Sequence, residues 1–237
     1  MSITTVLFDL DGTLLPMDQE VFIKDYFKRL CTKLVPHGYE PKKLVDAVWQ
    51  GTVSMIKNNS DKLNEEVFWE SAVSIFGDKI IKDKPIFDEF YEEEFNKVKS
   101  SCGYDKRAAE TVLRLKKDGY RIVLATNPIF PSRATEWRIN WAGLAPSDFE
   151  LYTTYENINR SKPNPEYYLE IARRLNVMPK ECIMVGNDVG DDMVARDLGM
   201  KVFLMTDCLI NKDNVDISQY PNGSFDELNA YIDSLNS

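Results

Sequence analysis

Thr4-Thr5-Val6-Leu7-Phe8-Asp9-Leu10-Asp11-Gly12-Thr13 is an apolar run that ends in two acids and a glycine. Val, Phe and Thr suit a pleated strand. A near-continuous apolar run marks a strand covered on both faces, whereas a half-solvated strand would alternate. Working outward, four more such runs predict strands at 120–126, 149–154, 182–187 and 201–205. Helical segments separate them. Asp105 suits the N-cap of a helix through Ala108, Val112 and Leu115 that stops at Gly119. Asn164 and Pro165 suit the N-cap and first position of a helix through Tyr168, Leu169, Ala172 and Leu175. Asp191–Leu198 reads as a short helix closed by Gly199, and Phe225–Leu235 as the last one. Alternation of this kind implies an α/β fold with a doubly wound parallel sheet.

One stretch breaks the alternation. Between Pro16 and Ser100 no strand pattern occurs, and four amphipathic helical patterns do. They are marked by Phe22, Tyr26 and Leu30; by Leu44, Val48 and Met55; by Leu63, Val67 and Ile75; and by Phe87, Phe90 and Val98. Asn64 is an alternative cap for the third. The chain therefore divides into a core of residues 1–15 and 101–237 and an inserted all-α module at 16–100. A ligand held between module and sheet is the expectation for such a layout. Trp49, Trp69 and the other aromatics of the module read as its core.

Composition limits the chemistry. The 237 residues carry 29 Lys and Arg against 38 Asp and Glu, a net charge of −9. An acidic chain argues against nucleic acid and anionic membranes as partners. No apolar run approaches a membrane span, and the acids at positions 9 and 11 do not suit a signal peptide. The four cysteines form no CxxC pair and read as reduced thiols of a cytoplasmic protein. The single histidine, His37, lies between Pro36 and Gly38. Serine–histidine and histidine–zinc chemistry are thereby excluded by counting. Catalysis falls to Asp, Glu, Lys, Ser or Thr.

Four clusters stand at predicted strand ends, where open α/β sheets bind ligands. Asp9 and Asp11, two apart, point to the same side of a strand. Two such carboxylates stay ionised together only beside a cation, and oxygen-only donors select a hard ion such as Mg2+. An EF-hand is rejected because its sixth position would be Leu14, not Gly. Thr126 and Asn127 follow the second strand and suit a phosphate oxygen. Lys162 precedes Pro163, which keeps it out of helical geometry on a loop. Asn187, Asp188, Asp191 and Asp192 follow the fourth strand, with more acids than helix capping requires. Three carboxylates, one ammonium and one Mg2+ balance to neutrality, so a metal makes this edge acceptable to an anion. Arg133 and Arg138 lie within reach of an anionic substrate, although exposure is the ordinary state of arginine.

DLDGT, then Thr126 after an apolar strand, then SKPNPE, then VGNDVGDD, in this order, resemble the haloacid dehalogenase-like (HAD) hydrolases. The resemblance implies a Rossmann-like HAD core with a helical cap domain at 16–100. It implies a Mg2+-dependent phosphatase acting on a small phosphorylated metabolite. By the same resemblance Asp9 is the nucleophile that forms an aspartyl phosphate, and Asp11 the general acid and then base. Thr126 and Asn127 hold the transferring phosphoryl group, and Lys162 neutralises its charge and orients Asp9. Asp9 and the Asp11 carbonyl bind Mg2+, with an acid from the last motif. The family often has Gly-Asp where this chain has Gly186-Asn187-Asp188. Either Asp188 or Asn187 then completes the metal shell, and the extra charge favours Asp188. Asp192 is expected on Lys162 or on a metal-bound water. A dehalogenase proper needs no second acid, whereas Asp11 is present. A phosphomutase and a non-hydrolytic phospho-acceptor signalling domain are the alternative readings.

Overall fold

The computed structural model describes residues 2–235. Six strands form one parallel sheet: β1 Thr5–Phe8, β2 Arg121–Leu124, β3 Leu151–Tyr152, β4 Cys182–Gly186, β5 Lys201–Met205 and β6 Asn222–Gly223, in the order β3-β2-β1-β4-β5-β6. The five expected strands are present, most of them shorter than their apolar runs. The two-residue β6 adds an edge that no apolar pattern announces. The order reverses at β1, and both neighbours of β1 are parallel to it.

Side-chain alternation along β1 divides the core into two layers. Val6 and Phe8 face one layer, which also holds Leu115, Leu228 and Ile232; Leu7 faces the other, with Tyr167, Tyr168 and Ile171. Burying each such side chain contributes about 1.5–3 kcal/mol, so the two layers fix the register of the central strand.

Between β1 and β2 every regular element is helical. The chain runs through α1 Gln19–Leu34, α2 Pro41–Ile56, α3 Asn64–Phe76, α4 Lys79–Lys82 and α5 Lys84–Glu89, then a wide π-type turn Phe90–Glu94 and a tight 3-10 stretch Phe95–Ser101. Asp18 caps α1 by accepting from the Glu20 and Val21 amides. Leu63, not Asn64, stands at the N-cap of α3. The insertion leaves at Pro16–Met17 and returns at Cys102–Gly103. There Met17 bridges Cys102, and the Gly103 amide donates to the Pro16 carbonyl at 2.7 Å.

The core helices are α6 Lys106–Lys117, which leads into β2, and then α7 Ser132–Trp141, α8 Pro165–Leu175 and α9 Phe225–Leu235. The N-caps read from sequence hold: Asp105 accepts from the Arg107 amide and Asn164 from the Glu166 amide. The segment expected as a helix at 191–198 is a 3-10 turn over Met193–Leu198, ended by Gly199 at φ 85°. No helix among the described residues is long and apolar enough to cross a membrane.

Candidate active site

Register brings the motifs to one edge. Phe8 lies level with Leu124 on β2 and with Val185 on β4. The residues that follow each of them therefore leave the sheet together. The Asp9 amide still donates to Val185 and the Ala125 amide to Phe8, at 2.8 and 2.7 Å, so the ladder holds up to the point of exit.

Lys162 is the hub. It is 2% exposed, and its Nζ lies 2.7 Å from Asp9 Oδ1 and 2.6 Å from Asp192 Oδ1. Burial pulls the ammonium down, but Asp192 and Asp9 outweigh it and hold Lys162 well above the ordinary lysine range. Asp192 is itself anchored, because its Oδ2 accepts the Asp188 amide at 3.0 Å. Of the two partners expected for Asp192, the structure has Lys162.

Asp9 sits between opposing influences. Burial raises its pKa, Lys162 lowers it, and Asp192 and Asp11 raise it again, for a net position of about 7. The Thr13 hydroxyl spans 3.3 Å to Asp9 Oδ2 and 3.0 Å to Asn187 Oδ1. Gly12, at φ 89°, turns the loop in a conformation that side chains rarely adopt. A Cβ there would also stand 2.3 Å from the Asn187 amide nitrogen.

Asp11 carries a partner that sequence reasoning missed. Arg138, on α7, has no exposed surface and pairs with Asp11 Oδ2. Its Nε donates to the Ala134 carbonyl and an NH2 to Thr135 Oγ1, both at 3.2 Å, and the guanidinium lies 4.6 Å from the Phe130 ring centre. Burial raises the Asp11 carboxyl, and Arg138 and Lys162 pull it partly back. Asp11 Oδ1 is buried without a hydrogen-bond partner. The expectation of an exposed Arg138 is thus corrected. Arg133 is tied to Glu92 at 2.8 Å and to Glu136 at 3.5 Å.

Thr126 and Asn127 line the same cleft. The Thr126 carbonyl accepts from the Thr153 and Tyr167 hydroxyls at 2.6 and 2.8 Å, which fixes the loop. On the fourth motif, Asn187 is spent on structure: its oxygen accepts from Thr13 and its amide donates to the Cys208 carbonyl at 2.6 Å. Asp188 Oδ1 caps the Gly190 and Asp191 amides at 2.8 and 3.0 Å. Burial, with Asp188 beside it, raises Asp191 to about 6. Among the described residues no three His, Cys, Asp or Glu side chains converge to hold a metal by themselves.

The insertion closes over this edge. Its α3 is tied to the loop before Lys162, with the Asn64 and Glu65 amides donating to Ile158 and Tyr155 at 3.1 and 2.8 Å. Asn64 Nδ2 also donates to the Pro128 carbonyl at 3.2 Å and to Ser161 Oγ at 3.0 Å. The cleft between insertion and sheet is about 450 Å³. Trp49 and Trp69, read from sequence as core, line it.

Comparison with known proteins agrees with this geometry. Pyrophosphatase PpaX of Bacillus cereus is 24% identical over 201 residues, covering 85% of this chain and 82% of that protein. A HAD phosphatase from Thermococcus onnurineus superposes with a TM-score of 0.60 at 18% identity, over 99% of this chain and all of the other. A HAD family enzyme from Bacteroides thetaiotaomicron, solved in complex with magnesium and inorganic phosphate, has a TM-score of 0.54 at 19% identity over 90% of this chain and 98% of that one. The haloacid dehalogenase-like hydrolase model matches residues 3–199, most of the chain, and the protein belongs to that family.

Proposed function

We propose that the protein is a Mg2+-dependent phosphatase that hydrolyses a small phosphomonoester through an aspartyl phosphate on Asp9. The observation that carries this reading is the buried Asp9–Lys162–Asp192 chain at the floor of a closed cleft. Lys162 holds one oxygen of Asp9, aims the carboxylate and offsets charge on the phosphoryl group. In the first step a bond forms between an Asp9 oxygen and phosphorus, the bond from phosphorus to the ester oxygen breaks, and Asp11 gives its proton to the leaving alcohol. In the second, Asp11 takes a proton from water, whose oxygen bonds to phosphorus while the bond from phosphorus to the Asp9 oxygen breaks, releasing phosphate and the free Asp9 carboxylate. Burial suits Asp11 to the acid role, because it keeps the proton on at higher pH. Thr126 and Asn127 are assigned to the phosphoryl oxygens.

The donor set fits Mg2+. Asp9, Asp11, Asp188, Asp191 and Asp192 face the cleft against Lys162 and the rim Lys212, with Arg138 behind Asp11. The carboxyl groups outnumber the cations, an excess of acidic oxygens that a divalent ion offsets. Mg2+ is commonly held by one or two carboxylates plus phosphate and water oxygens, so a full protein cage is not required. Asp9, the Asp11 carbonyl and Asp188 would hold it. When bound, the ion offsets charge on the phosphoryl oxygens.

The relatives' names, pyrophosphatase and phosphatase, support phosphate-ester or phosphoanhydride chemistry on a small molecule. Phosphate release from a panel of phosphorylated metabolites, with and without Mg2+, tests the reading, with Asp9→Asn as control. Isomerisation of a sugar phosphate without phosphate release would instead establish a mutase. A stable Asp9 phosphate without turnover would establish a phospho-acceptor domain.

A further inference from the structure

The wall that faces the leaving group is carbon. Every charged residue lining the cleft comes from the strand-end loops of the sheet, and none from the helical insertion. The insertion contributes Phe22, Tyr26, Phe27, Trp49, Phe68 and Trp69, among others. Its hydroxyls are largely taken up by one another or by the backbone. Tyr26 and Tyr91 bond each other at 3.0 Å, and Thr52 donates to the Val48 carbonyl of its own helix at 2.9 Å. Gln19, the Trp49 and Trp69 indoles and the one hydroxyl proton left over from the tyrosine pair are the remaining polar groups on that wall.

Cations are as scarce as hydrogen-bonding groups. Lys162 is held by two carboxylates, and Lys212 is exposed at the rim beside Asp191. A second anionic group on the substrate would give up its water against an apolar wall with no charge to receive it, which is strongly unfavourable. A polyol would lose hydrogen bonds to water and recover few. A hydrocarbon loses nothing and gains burial. The apolar surface also continues to the mouth, where Trp49 is 44% exposed and Ile56 is 38% exposed.

We propose that the substrate is the phosphomonoester of an uncharged, hydrocarbon-rich alcohol or phenol, whose body lies between the insertion's aromatic wall and the Phe130 side of the cleft. This rests on the phosphatase reading above. The phosphorus–oxygen bond breaks, phosphoryl passes to Asp9, and the apolar alcohol leaves with the proton from Asp11. The shared chemistry of the leaving group is an apolar body of a size that a 450 Å³ cleft holds together with its phosphate.

Ethyl, butyl and octyl phosphate have alcohols of nearly equal acidity, so their relative rates report burial and not chemistry. With Mg2+, kcat/KM is expected to rise at least about tenfold from butyl to octyl phosphate. Trp49→Ala is expected to reduce the octyl-to-ethyl ratio. A flat alkyl series, or a higher kcat/KM for pyrophosphate, phosphoglycolate or a hexose phosphate, overturns the proposal and leaves the phosphatase reading standing. If no ester is hydrolysed, the phosphatase reading fails, and calorimetry still decides the pocket. Binding of octylphosphonate at least about tenfold tighter than methylphosphonate upholds the apolar site, and equal or absent binding overturns it.

Discussion

Arg138 is wholly buried on α7, and its guanidinium pairs with the side chain of Asp11 at the end of β1. The residue assigned as general acid thus has its charge set by a helix 127 positions away in sequence. Arg138 pulls the Asp11 pKa down against burial. Replacing it with methionine removes that pull, so Asp11 keeps its proton to higher pH. The alkaline limb of kcat/KM is expected to move upward by about one pH unit. The melting temperature is expected to fall with a loss of about 3 kcal/mol, because Asp11 then lacks its partner in the interior. A pH–rate profile with an unmoved alkaline limb would remove Asp11 from the acid role.

Asp9→Asn keeps the shape and an acceptor oxygen for Lys162, so the fold is expected to survive. Turnover is expected to fall by about three orders of magnitude or more, since the nucleophile is gone. Acid quenching of the wild-type reaction should trap phosphate on the protein, and the variant should trap none. Undiminished phosphate release by the variant contradicts a covalent route through position 9.

Stability should respond to pH in a definite sense. Burial, then Lys162 in opposition and Asp192 in support, places Asp9 at about 7 in the folded protein, against about 3.9 for an unfolded aspartate. The folded state therefore binds more protons than the unfolded state between those values. Metal-free protein is expected to be most stable below about pH 4 on this account, and to lose that contribution as pH rises toward 7. A cation that favours ionised Asp9 reverses the trend, so Mg2+ should raise the melting temperature more at pH 8 than at pH 5.5. Equal Mg2+ shifts at both pH values would place the ion away from Asp9.

Asn187 and Asp188 compete for the metal, and their neighbours separate them. Asn187 is bonded at both ends, to Thr13 and to Cys208. Asp188 spends one oxygen on capping and brings a negative charge. Asp188→Asn keeps a capping acceptor and is expected to weaken Mg2+ affinity at least about tenfold. Asn187→Ala is expected to lower the melting temperature with little change in Mg2+ affinity. Calorimetric titration of both variants settles the assignment, and the reverse pattern assigns Asn187.

Strand ends were legible because each motif is local: an apolar run, then acids, Thr or Lys, in order. The convergence of Asp9, Lys162 and Asp192 was legible from the parallel strand order, with the loops after β3 and β4 bringing the last two back to the edge. Helix α7 was not legible, because its buried face is Ala134, Thr135, Arg138, Ile139 and Trp141. A face containing Thr and Arg gives no apolar period. Arg138 was misjudged for the same reason, since its burial depends on meeting Asp11 across the fold. The fourth helical pattern of the insertion had the right apolar spacing but winds as α5, a π-type turn and a 3-10 stretch. Side-chain periodicity does not distinguish these windings over so few residues. Trp69 is core, as read, and also lines the cleft, whereas Trp49 is exposed at its mouth; helical spacing alone does not separate an aromatic that fills a core from one that lines a pocket.

Asn64 ties the insertion to the loops that carry Thr126 and Lys162, and that gives this contact a residue to test. Its amide donates to Pro128, just after Thr126 and Asn127, and to Ser161, just before Lys162; its oxygen accepts from Asn58 at 3.0 Å. Asn64→Ala takes this donor from the Pro128 carbonyl and one bond each from Ser161 and Asn58, which keep the Met55 and Lys62 carbonyls, at a cost of about 1–3 kcal/mol. A merely structural loss would lower the melting temperature and leave kcat alone at temperatures where the variant is folded. A latch that positions the two loops predicts more: kcat should fall about tenfold under those conditions, because small displacements of positioning groups are expensive in rate. Asn64→Asp retains the acceptor but loses both donors, so it should share the kcat defect. If either variant, fully folded, turns over at the wild-type rate, positioning of the two loops does not depend on this side chain.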